Sequence, residues 1–219
     1  MYLFGARLKY TEYTLPDHAI PGETPRLQPP GPLVPPGTYD LVFSREGKSY
    51  KTKLQVLPDP RVHITEDDYT AQAALARKVA AFMEDTARSF NAVAALHTEF
   101  DALKKSLLTN PPKELTDAMT EVEKQLVALE DGSDEARGFG ILNRDFGHNL
   151  VMVESADVKP GESAYRAVKD GCESFTKAVA AWNKLNAESL PSLNKQLKAQ
   201  KLAPLSVASS AIPASNCAR

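Results

Sequence analysis

The side chains able to do chemistry are few and scattered. Histidines stand at His18, His63, His97 and His148, cysteines at Cys172 and Cys217, and the single tryptophan at Trp182. His97, Glu99 and Asp101 are close in sequence, but steps of two put them on different faces of a helix, where they cannot converge on a metal. His148 lies two residues from both Phe146 and Leu150, at the edge of an apolar stripe, and reads as a half-buried or solvated imidazole rather than a ligand or base. Carboxylates cluster twice. Glu66-Asp67-Asp68 has the charge to attract Ca²⁺, yet three acids at the head of a helix are accounted for by its dipole. Asp131, Asp134 and Glu135 share a loop but lack the ordered ligand ladder of a calcium site. A glycosidase needs two carboxyls about 5–10 Å apart beside a sugar cleft, and 28 acids supply pairs without singling one out. Gly138-Phe139-Gly140 is a G-x-G that opens a helix with no strand before it, so it reads as a loose helix start rather than a phosphate cradle. Walker, H-E-x-x-H, G-x-S-x-G and EF-hand patterns are absent. Cys172 falls in an apolar stripe as an inert buried thiol, Cys217 is open to being a free thiol or an intermolecular bridge, and Trp182 falls on a heptad seam, a core position. The residues nominate no catalytic, cofactor-binding or metal-ligating position, and no cofactor.

The elements that position these groups divide at the prolines. Ten of the 16 prolines lie in residues 1–60, and no glycine occurs between Gly47 and Gly132. Proline fixes φ and removes a donor, which excludes helix from the first sixty residues. The Ala/Leu/Lys/Glu-rich stretch beyond them permits long helices. The boundary falls at the stiff segment Pro58-Asp59-Pro60-Arg61. Within 1–60, Leu3–Tyr10 reads as a strand and residues 14–36 as an extended proline-rich loop. Thr38–Phe43 and Tyr50–Val56 alternate apolar and polar residues, the period of a half-buried hairpin closed through Arg45-Glu46-Gly47-Lys48. Three strands leave a face and two edges uncovered, so strands are expected to be supplied from upstream of Met1.

Residues 61–205 read as an antiparallel helical bundle. Thr65-Glu66-Asp67-Asp68 is a capping-box variant. From there Leu75, Val79, Phe82, Phe90, Val93, Leu96, Phe100, Leu103 and Leu107 recur near every 3.5 residues, with Thr86 breaking the seam. Asn110-Pro111-Pro112 is expected to stop this helix and cap the next, with proline in its first turn. Leu115–Leu129 and Phe139–Val153 give two short helices. Val168 to Leu197 gives a second long one, with a kink or restart at Pro191. The expected path is up-down-up-down, and residues 206–219 are expected to form a flexible tail. The fold class is thus α+β, mostly α: a small incomplete β-sandwich-like region followed by a bundle of two long and two short helices.

Charge and composition remove whole classes of function. Lys+Arg (26) nearly balances Asp+Glu (28), so net charge supplies no field for nucleic acid or an anionic membrane. No run of 18 apolar residues is present to span a bilayer, and Met1-Tyr2-Leu3-Phe4-Gly5 lacks a basic n-region followed by an apolar h-region, so it is not expected to act as a signal peptide. Two cysteines are too few for a disulfide framework or a Cys-rich zinc site.

The ordered set Gly31-Pro32-Leu33-Val34-Pro35-Pro36-Gly37-Thr38-Tyr39, Gly47-Lys48-Ser49-Tyr50, Asp59-Pro60-Arg61-Val62 and Leu190-Pro191-Ser192-Leu193-Asn194-Lys195-Gln196-Leu197 resembles the C-terminal region of bacterial sortilin-like, BNR-repeat β-propeller proteins, often labelled glycosyl hydrolases. The resemblance extends over residues 2–205. It implies an immunoglobulin-like module followed by helices, in an exported (periplasmic or secreted) protein whose propeller lies outside this chain. The Asp-box repeats of such a propeller are absent, so the hydrolase label carries no residue onto this sequence. The implied role is that of a non-catalytic accessory module whose partners are the propeller of a longer parent, another protein or a second copy of the chain. The alternative it implies is part of a sialidase-type glycoside hydrolase whose catalytic propeller is missing here.

Overall fold

The structure is a computed structural model that describes residues 7–9, 30–107, 111–133, 136–206 and 217, with side chains from residue 31 onward. It is mostly helical with a small antiparallel β region, as expected. β1 (Arg7–Lys9) pairs with β2 (Pro30–Leu33), and β3 (Gly37–Arg45) pairs with β4 (Lys48–Val56), as two separate two-stranded sheets. Strand β2 corrects the expectation of an extended loop at its position. Prolines suit an edge strand, where a missing N–H costs no ladder bond. The expected strand at Leu3–Tyr10 is described only at Arg7–Lys9, and residues 10–29 lie outside the described residues.

Helix α1 (Glu66–Ser106) opens on a capping box. The Asp68 N–H donates to Thr65 Oγ1 at 3.2 Å, and the Thr65 N–H donates to Asp68 Oδ2 at 3.3 Å. Two orphan donors are satisfied, with Glu66, Asp67 and Asp68 in the first turn complementing the dipole. α2 (Lys113–Glu130) starts differently from expectation. Pro112 is its N-cap rather than a first-turn residue, and the Pro112 carbonyl accepts from the N–H groups of Leu115 and Thr116; the expected cap Asn110 lies outside the described residues. α3 (Phe139–Val153) follows, then α4 (Glu162–Lys184), a π-helical turn (Leu185–Ser189) and α5 (Leu190–Ala199).

The path through the bundle departs from up-down-up-down. Lys104 on α1 meets Glu123 on α2 and His97 meets Glu130, so α2 descends along the upper half of α1. Asn143 on α3 meets the Met83 carbonyl, and Gln72 on α1 donates to the Val153 carbonyl, so α3 continues downward along the lower half. The two short helices lie in line as one interrupted rod, and the bundle is three rods thick. The cause is the joint between them. Gly132 sits at φ +96°, and a Cβ on Gly138 would fall 2.5 Å from the Glu130 carbonyl oxygen. The start of α3 therefore rests on the last turn of α2, an approach only glycine permits.

The third rod, α4 to α5, runs unbroken along both. The apolar stripe Val168, Cys172, Phe175, Val179, Trp182, Leu185 advances by threes and fours, then by five to Leu190. The π turn absorbs that surplus residue, with the Leu190 N–H donating to the Leu185 carbonyl. The expected kink or restart at Pro191 takes the form of a restart: α5 opens at Leu190 with Pro191 in its first turn, directly after the widened turn, since proline supplies no N–H to the turn before it.

At the centre Phe146 stacks on Phe82 with ring centroids 5.0 Å apart, while Gly171 lets α4 approach the Phe146 ring closely. Fully buried Thr86, the seam breaker, donates to the Phe82 and Met83 carbonyls. Buried Asn143 donates to the Met83 carbonyl and to Thr86 Oγ1. The polar groups are thus paired within the core, as burial demands.

The cysteines also correct the sequence reading. Cys172, expected as an inert thiol, is bonded to Cys217 with their Cα atoms 5.7 Å apart, so Cys217 is neither a free thiol nor an intermolecular bridge. Lys78 Nζ on α1 donates to the Cys217 carbonyl at 3.4 Å, a second tie between this residue and the bundle.

Candidate interaction surface

The hairpin β3–β4 is built by its sequence and left bare by its surroundings. Glu46 and Gly47 turn the chain at φ +51° and +76°, the pair of positive angles that suits the twist of a two-residue hairpin. The register places Tyr39 opposite Leu54, Leu41 opposite Thr52 and Phe43 opposite Tyr50 on one face; Asp40–Lys53, Val42–Lys51 and Ser44–Ser49 occupy the other. Asp40 and Lys53 form an ion pair at 3.6 Å, and the Ser44 and Ser49 hydroxyls lie 2.9 Å apart. Arg45 and Lys48 continue the apolar face at its tip. Phe43 is 60% exposed and Tyr50 59%. Alternating apolar side chains normally stand against a core; here they stand in solvent.

The root of the hairpin meets the bundle through β2, whose Leu33 N–H donates to Glu154 Oε1 at 2.6 Å. Tyr39 Oη donates to the Pro35 carbonyl at 2.5 Å at the entry to β3, and Tyr69 Oη donates to Asp157 Oδ2 at 3.3 Å, joining α1 to the segment after α3. Between root and bundle lies a recess of 110 Å³ lined by prolines 35, 36 and 58, by Tyr69, and by Asp59, Glu154 and Asp157. Its carboxylates are engaged. The Arg61 guanidinium and backbone hold the Asp59 carboxyl at a pKa of about 2, Glu154 accepts from Leu33, and Asp157 accepts from Tyr69. Burial, then the Asp157 charge, raises the Tyr69 phenol above its usual range.

The bundle end beside this root is also apolar on its surface. Among the described residues the exposed large apolar side chains are those of the hairpin, Leu57 in the linker, Val151, Met152, Val158 and Tyr165 at the α3–α4 end, and Val127. Val151, Met152, Val158 and Tyr165 lie at the bundle end on which the hairpin is rooted. Sequence reading found the hairpin but missed Val151 and Met152. The run Leu150-Val151-Met152-Val153 was the signal, because four consecutive apolar residues exceed what one helix face can bury.

The other groups weighed from the sequence do not assemble. His97 Nδ1 lies 2.8 Å from Glu130 Oε2, a pairing across 33 residues that no spacing revealed. Glu99 and Asp101 point outward, and His63 and His148 are exposed. His18, Asp134 and Glu135 lie outside the described residues. Glu66, Asp67 and Asp68 head α1 as dipole partners, and Trp182 is buried in the core. Gly138 and Gly140 belong to the α2–α3 joint and the buried start of α3. Among the described residues no group of three or more His, Cys, Asp or Glu side chains is arranged to hold a metal ion, and no helix is long and apolar enough to cross a membrane. No family model, curated protein or solved structure matches the chain.

Proposed function

We propose that the chain is a non-catalytic accessory module whose work is association, as part of an exported protein of the propeller type that its sequence resembles. The observation that carries this reading is the hairpin's apolar face, set by a nine-pair ladder and covered by no other element among the described residues. A patch of that kind rimmed by polar residues is the signature of a protein–protein contact. The Cys172–Cys217 bridge supports the exported setting, since structural disulfides persist where the compartment is oxidising.

The test is the double substitution Leu41→Thr, Phe43→Thr. Because both side chains face solvent, the melting temperature of the bundle should not move, while binding of an apolar fluorescent dye should fall. A melting temperature lowered as far as by a core substitution would mean that the face is covered within the fold and would sink the reading. Turnover of aryl-glycosides or sialosides by the chain would replace it with the glycoside-hydrolase alternative.

A further inference from the structure

We infer that the occupant of this surface is a second copy of the chain, joined reciprocally: the hairpin of each copy lies on the α3–α4 end of the other. The inference rests on the association reading and names its partner.

Charge is the first ground. The apolar face of the hairpin ends in Arg45 and Lys48, and the hairpin as a whole carries four cations against Asp40 and Glu46, a formal +2. At the bundle end, Glu66 and Asp67 head α1 beside Asp68, Glu154 and Asp157 follow α3, and Glu162 opens α4. Among the described residues Lys159 and Arg166, with Arg7 and Lys9 on the β1 strand paired to β2, oppose these six acids, leaving a formal −2 once the Asp59–Arg61 pair has cancelled. Two helix N-termini at about half a positive charge each, against the C-terminus of α3 at about half a negative one, leave this end negative. Each end thus offers exposed apolar side chains, one set rimmed by cations and the other by acids.

Area is the second ground. Nine cross-strand pairs at about 3.4 Å each make a face about 31 Å long and about 10 Å wide, or about 300 Å². Two hairpins set face to face would bury about 600 Å² in total, short of the roughly 1,000 Å² that a specific interface needs. The reciprocal arrangement uses two hairpin faces and two bundle ends, doubling the figure to about 1,200 Å². It also closes on a two-fold axis, so association stops at two copies.

The experiment is light scattering after size exclusion, over a hundredfold range of concentration, on the wild type and two charge variants, Arg45→Glu/Lys48→Glu and Glu66→Lys/Asp67→Lys. The wild type is expected to be a dimer that weakens with salt, and each variant alone a monomer, because both of its contacts would bring like charges together. An equimolar mixture of the variants is expected to regain the dimer, since every hairpin then meets an end of opposite sign. A dimer indifferent to both variants, or variants whose mixture stays monomeric, would overturn the proposal. A wild-type monomer that still binds the apolar dye would overturn it while leaving the association reading standing. A monomer that binds no dye would sink both.

Discussion

Cutting the Cys172–Cys217 bridge is the most informative perturbation of the bundle. The bridge joins residues 45 apart in sequence. In the chain-entropy account, closing a loop of that length removes about 13 cal/mol/K from the unfolded ensemble, or about 4 kcal/mol at 25 °C. A protein of this size loses about 2–4 °C of Tm per kcal/mol, so Cys217→Ser should melt about 8–16 °C below the oxidised wild type. Cys172→Ser should be worse by about 1–3 kcal/mol, because it also leaves a hydroxyl where the side chain is almost wholly buried. The assay is guanidinium unfolding with and without reductant, alongside thiol titration of the native protein. Reductant should bring the wild type to the Cys217→Ser midpoint and steepen its denaturant dependence, since the uncrosslinked chain exposes more surface when unfolded. Equal midpoints in the two conditions, or two reactive thiols in the unreduced native protein, would refute the reasoning.

Three further outcomes are expected. Gly171→Ala places a Cβ 2.8 Å from Phe146 Cε1, on a buried ring that is stacked against Phe82. A loss of about 1–3 kcal/mol should follow in urea unfolding, whereas an unchanged midpoint would mean that the helices separate freely there. Asn143→Ala removes the donor shared by the Met83 carbonyl and Thr86; a cost of about 1–3 kcal/mol is expected, and less than about 0.5 kcal/mol, the scale of surface changes, would show that the polar cluster is dispensable. The hydrogen bonds from the Thr65 hydroxyl and N–H lower the Asp68 pKa from 3.8. The stability it lends α1 is therefore present above pH 3.8 and lost as the pH falls through its folded value. Asp68→Asn should flatten that part of the acid limb in a circular dichroism titration, and an acid limb identical to the wild type's would count against the capping box. Asp59, held at about 2 by Arg61, should stay charged through the same range.

What could be read in advance was whatever lay within one or two turns of chain. The pairing of Thr65 with Asp68, the alternation from Tyr39 to Val56 and the positive-φ pair Glu46-Gly47 are local, and each specifies its element unaided. The in-line placing of α2 and α3 was not legible, because it depends on the Gly138 backbone lying against the Glu130 carbonyl, a contact no periodicity encodes. Strand β2 was hidden by its own prolines, which read equally as loop. The disulfide spans 45 residues and the His97–Glu130 pair 33, so neither leaves a spacing in the sequence. For the surface, the alternation of the hairpin marked apolar side chains but not their exposure. That depends on what the rest of the fold fails to cover.

The wide turn at Leu185–Ser189 gives the long third rod a property its neighbours lack. Adding or removing a residue in an ordinary helix swings everything downstream around the axis by about 100°, which would carry Leu190, Leu193 and Leu197 out of the interior. Here the spare residue is already housed midway along the rod. Deleting one position inside the wide turn would restore a four-residue step from Leu185 to the next leucine and leave both halves facing inward. The rod can therefore lose one residue at this point and nowhere else along α4 and α5 without unseating what it splints.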